Sequence, residues 1–180
     1  MRTSWYIILT LHPCHRLLPR VVQTPTFRQT TWVPDAVIIL IGPNDEMTKP
    51  IGAAGRNFTR TINPLYSRAG FVSQYKNLLT YVADSYDGFA RPKIISVCGG
   101  SGNGLGCCDD IKTAQKQFNN QRAGFHADFV TITKQNWNMI NGPDGAGLSQ
   151  YNGCQTHYNQ KGHRVLMQDV EPGIRDIMGW

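Results

Sequence analysis

A chain of 180 residues with 41% hydrophobic and 17% charged residues suffices for one domain with its own core and is too apolar to be disordered. The formal net charge of +6 is scattered, and no basic run is interleaved with aromatics, which argues against a nucleic-acid partner. No apolar run reaches the roughly 18 residues that cross a bilayer, so no membrane segment is expected.

Residues 5–11, WYIILTL, follow Arg2 and suit either a strand or the apolar core of a secretion signal, although no small-x-small cleavage site follows them. Pro13, Pro19 and Pro25 then break the segment, so residues 1–31 are expected to be irregular, with room for one short helix. AVIILI at 36–41 lies between Pro34-Asp35 and Gly42-Pro43. It has the length and unbroken apolar character of a parallel strand buried on both faces. Residues 46–67 show no sustained period and read as a long loop.

Residues 70–86 place Phe71, Tyr75, Leu78, Leu79 and Val82 on one helical face. KIISVC at 93–98 is a second buried strand, followed by the Gly-rich loop GGSGNGLG at 99–106. The next helix, 109–121, opens with Asp109 and Asp110, acids suited to a helix N-terminus. ADFVTI at 127–132 is a third strand, and a polar loop runs from 133 to 156. A closing helix over 160–178 stripes Leu166, Val170, Ile174 and Ile177, with Asn159 as its N-cap. Pro172 and Gly173 predict a kink or break within it. This alternation of strands and helices specifies an α/β fold with a parallel sheet.

The five cysteines, Cys14, Cys98, Cys107, Cys108 and Cys154, contain no C-x-x-C pair and no zinc spacing, so neither a metal nor another cofactor is expected. Adjacent Cys107-Cys108 beside a Gly-rich loop suits an oxidised, secreted protein. Asn57-Phe58-Thr59 is a glycosylation sequon and points to the same extracellular location.

Two residues stand where chemistry is usually placed. Asn44 follows the 36–41 strand, where its amide could donate to a developing oxyanion or, as Pro-Asn-Asp commonly does, shape a turn. His157 lies just before the closing helix. It could act as a general base given a nucleophile in reach, whereas a loop histidine is more often an exposed bystander. The loop 99–106 fits no phosphate-binding pattern, and Asn103 removes Ser101 from a G-x-S-x-G elbow. Trp137, Tyr151 and Tyr158 suit sugar stacking and loop anchoring equally well.

WVPDAVIILIGPNDE at 32–46 resembles the third conserved block of the SGNH (GDSL-type) hydrolases, W-x-P-D-x-V-x-I-x-x-G-x-N-D. GCQTHYNQKGH at 153–163 resembles their fifth block. The spacing of His157, Asn159 and Gly162-His163 is most similar to the family 2 carbohydrate esterases. The resemblance covers residues 32–180 and implies a flavodoxin-like three-layer α/β/α fold with a parallel sheet. It further implies ester hydrolysis by Ser-His catalysis on an acetylated polysaccharide or another ester, with Asn44 in the oxyanion hole and His157 as base.

Three features depart from the family pattern. No Gly-Asp-Ser occurs in residues 1–31, no glycine precedes Gly42, and Gln155 and Cys154 stand where an acid would orient the histidine. The expectation is therefore a monomeric domain holding the C-terminal part of the fold, incomplete at its N-terminus, with its nucleophile in the full-length form. The alternative is a non-catalytic, polysaccharide-binding pseudoenzyme that uses Trp137 and Tyr158.

Overall fold

The computed structural model describes residues 6–9, 34–40, 47–48, 61–62, 67–86, 91–99, 107–133, 149–151 and 159–180. In chain order the elements are β1 (Tyr6–Leu9), β2 (Ala36–Ile39), β3 (Met47–Thr48), β4 (Thr61–Ile62), α1 (Arg68–Ser85), β5 (Lys93–Gly99), α2 (Cys107–Gln121), β6 (Ala127–Ile132), a single 3-10 turn (Ser149–Tyr151) and α3 (Gln160–Met178).

Strands β1, β2, β5 and β6 form one sheet in that order, with every pairing parallel. The unbroken apolar runs of the sequence are explained by burial on both faces. Val37 and Ile39 of β2 and Ile94 and Cys98 of β5 pack on one side, against Tyr75, Leu79 and Val82 of α1 and Ile111, Ala114 and Phe118 of α2. The alternate residues Ala36, Ile38, Ile95 and Val97 point the other way, with Val130 and Ile132 of β6, and meet Leu166, Val170 and Ile174 of α3. The result is a flavodoxin-like three-layer α/β/α fold, α1 and α2 on one face and α3 on the other. Each fully buried aliphatic side chain contributes about 1.5–3 kcal/mol, so both layers are needed.

Within WYIILTL, Tyr6–Leu9 take the strand form, pairing with Ala36 to Ile39. The segment read as a featureless loop, 46–67, holds a short antiparallel pair, Met47 with Ile62 and Thr48 with Thr61. A two-residue bridge has no local period, so no sequence pattern announces it. Helices α1 and α2 each begin two residues before the expected starts at 70 and 109, at Arg68 and Cys107. Ser67 caps α1, its Oγ accepting from the Gly70 N–H at 3.2 Å.

Helix α3 is continuous from Gln160 to Met178, correcting the expected break at Pro172. Pro172 faces solvent, as does Gln168, whose carbonyl loses its helical donor and stays open to water. Gly173 faces the sheet, and a Cβ there would stand 3.1 Å and 3.2 Å from the two γ-methyls of Val130. It is the close approach of helix to strand that requires this glycine. Gly179, at φ 73°, ends the helix in the left-handed conformation, and the Trp180 N–H donates back to the Arg175 carbonyl at 3.0 Å. No described helix is long and apolar enough to cross a membrane.

Candidate functional site at the strand tips

In a parallel sheet all strands end on one edge, and open α/β folds place their chemistry there. Here β2 ends at Ile39, β5 at Gly99 and β6 at Ile132. Past β6, both the N–H and the hydroxyl of Thr133 donate to the Asp169 carboxylate, which ties the strand end to the middle of α3. The first turns of α3 therefore stand beyond the end of β6.

The start of α3 is held by one side chain. Asn159 Oδ1 accepts from the N–H groups of Lys161 at 2.9 Å and Gly162 at 3.0 Å, satisfying two amides of the first turn. Its Nδ2 donates to the Gln150 carbonyl at 3.0 Å, and its backbone N–H donates to the Tyr151 carbonyl at 2.8 Å. Residues on either side of 152–158 are thus bonded to each other. Tyr151 is buried with Leu166 and Val170, and the Lys161 ammonium lies 5.3 Å from its ring centroid. This environment makes Tyr151 an anchor rather than a sugar platform.

A second cluster lies at the end of β5. Cys98 is disulfide-bonded to Cys108 of α2 with a Cα–Cα distance of 5.6 Å, closing the Gly-rich loop at its base. Cys107 is a buried thiol whose sulfur is 3.7 Å from that of Cys98. The sulfurs of Cys98, Cys107 and Cys108 lie within 4.8 Å of one another, the metal-ligating side chains that come together among the described residues. With two of them oxidised to a disulfide, they offer no thiolate set for a metal.

Tyr75 Oη of α1 and Ser96 Oγ of β5 are buried without a hydrogen-bond partner. Burial pushes the Tyr75 phenol well above its ordinary range. The nearby Ser96 hydroxyl opposes this rise and Cys107 adds to it. Asp110, in the first turn of α2, is buried and receives Arg68 of α1 through Nε at 2.9 Å and Nη2 at 2.8 Å, which fixes the helix start.

Of the residues singled out by sequence, Asn44, Trp137, His157 and Tyr158 lie outside the described residues, as does Ser101. His163 is exposed on α3, its N–H donating to the Asn159 carbonyl. His126 is exposed before β6, at the opposite edge from the strand tips, with Nε2 3.4 Å from Asp128 Oδ1. Sequence reading noted the cysteines without their pairing, and assigned Tyr75 only to an apolar face. The partnerless hydroxyls have no sequence signal, because the packing of α1 on β5 creates them.

No protein-family model matches the chain, and no curated protein matches it. Solved structures do. An acetyl xylan esterase from the rumen bacterium Butyrivibrio proteoclasticus aligns with a TM-score of 0.52 over 83% of this chain at 18% identity. A family two carbohydrate esterase from Cellvibrio japonicus aligns with a TM-score of 0.54 over 84% at 15% identity. The fold is that of the family 2 carbohydrate esterases. A third structure, of a carbohydrate esterase described as having divergent catalytic and non-catalytic binding functions in its active site, aligns with a TM-score of 0.50 over 80% at 16% identity. This chain spans 38%, 36% and 38% of the lengths of those three chains. At such identities the likeness is one of fold, and it agrees with the resemblance carried by residues 32–46 and 153–163.

Proposed function

We propose that this chain forms the ester-hydrolysing scaffold of a protein that acts on acetylated polysaccharide. The carrying observation is the register of two motif residues against two fixed points of the esterase-like fold. Asn44 stands five residues past Ile39, the end of β2, and His157 two residues before Asn159, the cap of α3. In this reading a serine attacks the acetyl carbonyl, His157 takes the serine proton, and the Asn44 amide donates to the oxyanion. The histidine then returns the proton to the departing sugar hydroxyl, and water, activated the same way, releases acetate. His157 suits this role because an imidazole titrates near neutrality. This reading needs a serine nucleophile, which residues 1–31 do not offer as a Gly-Asp-Ser. A secreted setting fits the Cys98–Cys108 disulfide, which persists in oxidising compartments.

Labelling of the native protein with a fluorophosphonate tests this reading. One labelled serine, with labelling lost in His157→Ala, is the expected outcome. No labelled serine contradicts it and favours the second reading.

That second reading is a polysaccharide-binding protein on the same scaffold without turnover. It is favoured by the absent Gly-Asp-Ser and by the non-catalytic binding described for the active site of one structural neighbour. Trp137 and Tyr158 would stack on sugar rings. It expects retention on xylan that is lost in Trp137→Ala, and unchanged retention in that variant contradicts it.

A further inference from the structure

We propose that Cys98, Cys107 and Cys108 form a thiol–disulfide exchange site, in which Cys107 displaces Cys108 from Cys98 and moves the covalent tie between β5 and α2 by one residue. The third sulfur is already in place: Cys107 is a thiol buried to 2% exposure, and its sulfur lies 3.7 Å from the Cys98 sulfur. All three sulfurs fall within 4.8 Å of each other.

Cys107 is the first residue of α2 and directly precedes Cys108, so one helix turn carries both sulfurs toward Cys98 of β5. Tyr75, in the same buried cluster as Cys107, carries a hydroxyl with no hydrogen-bond partner, kept protonated by its burial.

In the exchange, Cys107 gives up its proton, which is balanced by the one Cys108 takes up, and its sulfur attacks Cys98 Sγ. The Cys98–Cys107 bond forms as the Cys98–Cys108 bond breaks. Cys108 leaves as a thiolate and takes up a proton, so no net oxidation occurs and no outside redox partner is consumed. The thiol moves from a buried position to Cys108, which is half-buried. The disulfide-closed loop that follows β5, at the strand-tip edge, becomes one residue shorter.

Native wild-type protein incubated with N-ethylmaleimide, quenched in acid and mapped by peptide mass spectrometry, reads the exchange directly. Label should accumulate on Cys108, in molecules whose disulfide joins Cys98 to Cys107, and Cys107→Ser should abolish labelling of Cys108. Label confined to Cys107, no label on either residue, or equal labelling of Cys108 in Cys107→Ser would each overturn the proposal. So would a map joining Cys107 to Cys14 or Cys154.

Discussion

The backbone N–H of Asn159 donates to the carbonyl oxygen of Tyr151 across 2.8 Å, closing the ends of the segment that carries His157. The same asparagine caps α3 through Oδ1 and reaches Gln150 through Nδ2. One side chain thus starts the helix and gathers the chain before it. Asn159→Ala is expected to lose about 1–3 kcal/mol in a denaturant titration, a cap plus a further hydrogen bond. Asn159→Asp keeps the cap acceptor and loses only the donor to Gln150, so its loss should be the smaller of the two. Equal losses would show that the cap contributes nothing.

The contact of Gly173 with Val130 sets how closely α3 approaches the sheet. Gly173→Leu adds helix propensity of about 0.8 kcal/mol but drives a side chain into the Val130 methyls. Overpacking should dominate and destabilise the protein by about 1–3 kcal/mol. Combining it with Val130→Ala should recover part of that loss, because the second change makes room. Strict additivity of the two losses in thermal melts would argue against the contact.

Tyr75 gives the stability curve an alkaline limb. Its phenol in the folded protein keeps its proton above the ordinary value of 10.0, and half-buried Tyr86 is raised for the same reason. Above that pH the unfolded state therefore binds fewer protons than the folded one, and stability falls as pH rises. Their contribution is complete below about pH 10, and each phenol costs up to about 1.4 kcal/mol per further pH unit. Tyr75→Phe should flatten this fall while leaving stability near neutrality little changed, since the lost hydroxyl has no hydrogen-bond partner. An alkaline limb as steep as that of wild type would contradict the assignment.

Much of the architecture was legible because it rests on local signals. AVII is apolar on both faces and IISVC is so but for Ser96, as a parallel strand covered on both sides requires. The α3 stripe and its asparagine cap were equally plain. What the sequence concealed depends on partners far along the chain. The pairing of β3 with β4, the choice of Cys108 over Cys107 by Cys98, and the tolerance of Pro172 on a solvent-facing turn follow from packing alone. The motif around Asn44 was readable as a resemblance, and its value lies in the strand end it follows. Tyr151, open to two readings in sequence, is an anchor because Leu166, Val170 and Lys161 surround it.

Acetate release from acetylated xylan by the native protein, compared with His157→Ala and Asn44→Ala, tests the central claim most directly. The account predicts release by wild type, loss of detectable turnover in His157→Ala, and a fall in kcat of about 10²–10³ in Asn44→Ala, the usual cost of one oxyanion donor. No release by the native protein, or release that survives both substitutions unchanged, would contradict it.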